Sequence, residues 1–110
     1  MHRTLIVARL APDRSGEVAR VFAESDRTEL PRLVGVQARS LFTFDDVYVH
    51  LIESERDPGP AIRAVRDHPL FVDVTDRLAR HVTPYRPDWR EPGDAMAQEF
   101  YHWSADGTRP

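Results

Sequence analysis

The stretch Glu24–Glu53, ESDRTELPRLVGVQARSLFTFDDVYVHLIE, decides the fold. It opens on a polar segment, Ser25 to Glu29, of the kind that ends a helix, meets Pro31, and continues into two runs rich in β-branched and aromatic residues, Val36 to Phe44 and Val47 to Glu53. Only Asp45-Asp46 separates the runs, which therefore read as two antiparallel strands joined by a tight turn. Side chains alternate along a strand, so Val47, Val49 and Leu51 share one face while Tyr48, His50 and Ile52 share the other. The first face reads as plain core; the second is aromatic and carries a titratable ring. On the preceding strand Arg39 stands between Ala38 and Ser40 in an otherwise apolar run, where a guanidinium is costly unless it has a partner or faces a polar cavity. Arg39 and His50, on adjacent strands, are thus candidates to look into one shared space.

Upstream of that stretch, Thr4 to Leu10 is apolar and β-branched and ends at Pro12-Asp13, a first strand. Ser15 can cap a helix with Glu17 in its first turn, and Val18, Val21 and Phe22 form its apolar stripe. This helix is expected to fray near Glu29, because Leu30 precedes a proline and is pushed out of the helical region. Downstream, Asp57-Pro58-Gly59-Pro60 closes the hairpin and starts a second helical region that bends at His68-Pro69. Phe71, Val74, Leu78 and Val82 continue it at helical spacing, with Arg80 and His81 at its cationic end. Thr83 to Asp94, with Pro84, Pro87, Pro92, Tyr85 and Trp89, reads as a loop packed by its own rings. Ala97 to Ser104 supplies a last strand bearing Phe100, Tyr101 and Trp103, and Ser104 to Pro110 a frayed tail.

The order is β-α-β-β-α-β, an α+β, ferredoxin-like antiparallel sheet with both helices on one side, in a single domain over residues 1–110. The opposite sheet face is left bare, and its simplest cover is a second copy of the chain, a homodimer.

The composition removes several chemistries. There is no cysteine, so disulfides, zinc–thiolate sites and thiol nucleophiles are excluded. All the basic residues are arginines, which excludes a Schiff-base lysine. A net charge of −3 argues against a nucleic-acid partner. No apolar run reaches membrane-spanning length, and Met1 to Val7 leads into a strand pattern and not a signal peptide, so a cytoplasmic location is expected. His2, His68, His81 and His102 lack ligand-like spacing, so no metal is expected, and without a phosphate loop or dinucleotide fingerprint no cofactor is expected either.

Several phrases together resemble the family of small aromatic polyketide cyclases: Glu24-Ser25-Asp26, Thr28-Glu29-Leu30-Pro31, Val34-Gly35-Val36, Arg39, Leu41-Phe42, Phe44 and Asp46 to Glu53. The likeness runs from Leu5 through His68-Pro69-Leu70-Phe71 and Thr83-Pro84-Tyr85 to Phe100-Tyr101 and Trp103. It implies cofactor-independent intramolecular aldol condensation and dehydration of a multi-ring polyketide intermediate, in antibiotic or spore-pigment biosynthesis. It also implies a homodimer with sheets packed against each other, and other type II polyketide synthase components as partners.

Asp26, Arg39 and His50 match the family's Asp, Arg and His positions. His50 is the candidate proton shuttle, on the ground that imidazole ordinarily titrates near working pH. Arg39 is the candidate donor to an enolate or alkoxide, and Asp26 the base or the group that orients the other two. Each has a plainer reading: a hydrogen-bonded core histidine, an arginine paired with Asp26 or Glu29, a solvated carboxylate at a helix end. Tyr48, Trp89, Phe42 and Phe71 are candidates to line a site for flat rings. The family pattern carries a histidine where this chain has Ser25, so a mechanism needing two histidines is not implied. Two other readings stay open: a cofactor-independent polyketide anthrone monooxygenase, and a non-catalytic subunit that folds a polyketide.

Overall fold

Two residues reverse the chain between β2 (Val36–Phe44) and β3 (Val47–Ser54). The turn closes because Asp45 takes a left-handed backbone conformation, φ 52°, which a short polar side chain tolerates. In this computed structural model, which describes residues 1–106, the hairpin pairs with β1 (His2–Leu10), and β1 pairs in turn with β4 (Val82–Pro84). The result is a four-stranded antiparallel sheet in the order β2-β3-β1-β4. The ferredoxin-like α+β architecture expected from the sequence is the one observed.

Among the described residues four α-helices belong to the fold: α1 (Ser15–Ser25), α2 (Leu30–Val34), α3 (Gly59–Val65) and α4 (Pro69–Leu78). The break at His68-Pro69 is confirmed, and the His68 side chain caps α4 by accepting from the Leu70 amide at 3.1 Å. The expected fraying at Glu29 is corrected. Leu30 begins a new short helix, because Pro31 falls in its first turn, where a missing N–H leaves no helical acceptor unmet. Gly35 ends that helix at φ 90°, and its freedom at positive φ lets the chain turn directly into β2.

Two further expectations are overturned downstream. The α4 pattern stops at Leu78, so Arg80 and His81 lie in the connection and Val82 opens β4. The fourth strand is therefore Val82–Pro84, where the segments read as helix and as loop meet, and Ala97 to Ser104 is not a strand. The C-terminal segment touches the sheet through the Ile6–Met96 bridge and the Ala97 amide donating to the Leu5 carbonyl at 2.8 Å. Beyond it Phe100 is 97% exposed, and Tyr101 and Trp103 are exposed too. With no layer to bury against, these rings gain nothing from strand pairing. The tail expected over Ser104 to Pro110 lies, from residue 107 on, outside the described residues.

The face assignment also reverses. Tyr48, His50 and Ile52 are the buried side of β3, under the helices, whereas Val47, Val49 and Leu51 lie half-buried on the opposite face. One core cluster joins Ala8, Leu10, Val18, Phe22 and Tyr48, a second Val21, Leu30 and Val74. The outer face carries Leu5, Phe42 (55% exposed) and Phe44 (74% exposed). Sequence alternation identifies two faces but not which one the helices cover.

Candidate active site

Arg39, His50 and Asp26 meet at one end of a cavity between the sheet and the helices. Asp26 is the residue on which α1 ends, its amide bonded to the Phe22 carbonyl at 2.8 Å. Arg39 projects from β2 on the helix side and is only 13% exposed. Its Nε and Nη2 donate to the two carboxylate oxygens of Asp26 at 3.1 and 2.8 Å, a bidentate fork. Its remaining Nη1 donates to Nε2 of His50 at 2.8 Å. The guanidinium also lies 4.5 Å above the centre of the Phe22 ring, whose edge meets the His50 ring at 5.0 Å. Each guanidinium nitrogen of Arg39 is thus engaged, which is how a largely buried cation is tolerated on the helix side of β2.

These contacts fix the state of His50. A guanidinium has only donors, so Nε2 must accept and the ring proton sits on Nδ1. Burial and then the adjacent Arg39 charge disfavour a second proton, and the imidazole pKa is pushed down to about 3. His50 does not keep the ordinary histidine value expected from the sequence and is neutral across the working range. Nδ1 has no hydrogen-bond partner among the described residues, and His50 lines the cavity. Tyr48, also in the wall, has its phenol pKa raised by burial, so it stays protonated.

The cavity holds about 250 Å³. This lies just under the roughly 300–1,000 Å³ typical of small-molecule sites, and its wall is almost wholly hydrocarbon. Ile6, Ala8 and Ile52 form the sheet side, Leu30, Pro31 and Val34 come from α2, and Phe71, Val74 and Leu78 come from α4. Of the four aromatics expected to line the site, Tyr48 and Phe71 do. Phe42 points from the outer sheet face, opposite Val49, and Trp89 packs against Tyr85 at 6.0 Å; neither lines this cavity. Phe22 and Met96, which do line it, were not singled out. For Phe22 a signal existed, because it lies four residues before Asp26, on the same face of α1. Ser25 borders the cavity as well. Among the described residues no group of three or more His, Asp or Glu is placed to hold a metal ion, and no helix is long and apolar enough to cross a membrane.

Fold and cavity together describe an α+β protein with a largely apolar cavity bordered by a cluster of hydrogen-bonding side chains. The chain belongs to the polyketide synthesis cyclase family, whose model matches residues 2–104. It is 57% identical to an uncharacterized protein of Streptomyces coelicolor over 94% of this chain and 95% of that protein. Over 96% of this chain and all of its relative it is 53% identical to the polyketide synthase CurG of Streptomyces cyaneus. The solved structure of tetracenomycin F2 cyclase from Streptomyces glaucescens, a type II polyketide cyclase, superposes with a TM-score of 0.90 at 45% identity, over 96% of this chain and 99% of that one.

Proposed function

We propose that this protein closes a ring in a multi-ring polyketide by intramolecular aldol condensation and dehydration, with no cofactor. A methylene between two carbonyls is already acidic, so catalysis consists of folding the chain and stabilising the enolate. Positioning alone can contribute roughly 7 kcal/mol or more in favourable cases. The observation that carries the reading is the Arg39–His50 hydrogen bond of 2.8 Å, which leaves a neutral Nδ1–H donor at an apolar cavity. That donor binds a substrate carbonyl oxygen and strengthens its hold as the oxygen becomes an enolate. The enolate carbon then attacks a second carbonyl, forming the carbon–carbon bond and an alkoxide. Protonation of the alkoxide and elimination of water complete the ring.

His50 is in this reading a donor to oxygen, in place of the proton shuttle first expected. Asp26, with both oxygens on Arg39, orients the arginine and does not act as the base. The methylene proton passes to water. Incubation with a partly cyclised poly-β-ketone should give a product lighter by one water, with no oxygen consumed. Oxygen uptake coupled to product formation would instead establish the monooxygenase reading.

The protein acts as a homodimer beside other type II polyketide synthase components, most simply in the cytoplasm. Support for the dimer comes from the outer sheet face, where Leu5, Phe42 and Phe44 are exposed beside half-buried Val7, Val49 and Leu51. Sedimentation should give a dimer for the native chain and a monomer for Phe42→Glu. A native monomer at micromolar concentration would remove the dimer from this account.

A further inference from the structure

We propose that Met96 is the end stop of the cavity and sets the length of fused-ring ligand it accepts; the proposal rests on the reading of that cavity as a polyketide site. The register of the sheet sets His50 and Met96 in one row. Leu41 on β2 stands opposite His50 on β3, His50 opposite Ile6 on β1, and Ile6 opposite Met96. The four residues form one row across the sheet, with His50 near one end and Met96 at the other. Neighbouring strands lie about 4.8 Å apart, so two spacings place the Met96 backbone roughly 10 Å from that of His50. That span suits a linear fused-ring system and is too long for a single ring.

Met96 is suited to this task by how it is held. Strand β4 covers only Ala8, Leu10 and the intervening Arg9, leaving the Ile6 end of the β1 edge to the Met96 segment. The segment is fixed there by its backbone. Its bridge to Ile6 and the Ala97–Leu5 hydrogen bond at 2.8 Å lie just after the turn Pro92–Ala95, which is itself tied by Asp94 accepting from the Arg90 and Glu91 amides at 3.0 and 3.1 Å. Among the described residues of that segment Met96 alone lines the cavity, and a thioether on an unbranched chain is among the most adaptable apolar groups. The edge is therefore closed by one deformable side chain on an anchored backbone. In a space of about 250 Å³, moving that side chain changes the usable length appreciably.

The test measures affinity for two planar hydroxyquinone probes, one tricyclic and one linear tetracyclic, by fluorescence titration. Native protein, Met96→Ala and Met96→Trp are compared, each first verified as folded by circular dichroism. Met96→Ala should raise the tetracyclic-to-tricyclic affinity ratio about tenfold, and Met96→Trp should lower it by a similar factor. A ratio that stays within twofold of the native value in folded variants overturns the proposal. Because the two variants push in opposite directions, either one decides if the other fails to fold. Native protein that binds neither probe overturns the polyketide reading of the cavity itself, and the end stop with it, an outcome distinct from intact binding with an unmoved ratio.

Discussion

Arg39→Ala lowers turnover by a factor on the order of 10² or more, about 2.7 kcal/mol of transition-state stabilisation. The loss has two sources. Removing the guanidinium removes the positive charge nearest the developing enolate, and it releases Nε2 of His50, so the imidazole is no longer held with its proton on Nδ1. Arg39→Lys should recover only part of the activity, because an ammonium cannot grip Asp26 with a fork and reach His50 at once. The companion substitutions separate a donor from a base. His50→Phe should lose activity on the same scale as Arg39→Ala, whereas His50→Gln, whose amide can accept from Arg39 and donate to the cavity, should retain a large share. Equal losses in Gln and Phe variants would restore the proton shuttle. Steady-state kinetics on protein of verified fold checks all four, and less than a threefold loss in both Arg39→Ala and His50→Phe would reduce the cavity to a passive mould.

The second large effect is on acid stability. His50 has a native pKa near 3 against an ordinary value of 6.5. Between those values the unfolded chain binds a proton that the native chain excludes, so the unfolding free energy falls as the pH is lowered through this window. The slope from this one group is about 1.4 kcal/mol per pH unit, a few kcal/mol in all. The stability is fully present above pH 6.5 and lost on the way down to 3. Urea titrations of native protein and His50→Gln at pH 7, 6, 5 and 4 isolate the contribution, because the carboxylates titrate in both. Parallel curves would mean that His50 is not held neutral. The activity profile should likewise show no inflection near 6.5 from this residue.

Much of this arrangement was legible in the chain. The Asp45-Asp46 turn fixes the β2–β3 hairpin, and strand alternation then puts Arg39 and His50 within reach of each other. The depressed acidity of His50 was not legible, since it depends on burial depth and on which side of the ring the guanidinium occupies. The choice of edge strand was hidden as well. Val82–Pro84 is too short to declare itself beside two prolines, while the aromatic run after Ala97 mimics a strand although nothing covers it. Phe42 was misplaced for a related reason: its strand position is clear, but only the helices decide which face becomes interior. Met96 escaped notice because its position follows from a bridge across the sheet and not from any local pattern.

The distribution of polar and hydrocarbon wall has a consequence for how such a protein diversifies. The polar groups of the site come from the end of α1, β2 and β3, whereas the hydrocarbon wall facing the sheet comes from α2, α3 and α4, and the wall at the β1 edge includes Met96. In the proposed reading, reactivity and shape discrimination therefore reside in largely separate stretches of the polypeptide. New scaffold preferences can evolve, or be engineered, by altering the boundary while the proton-donating pair is inherited unchanged.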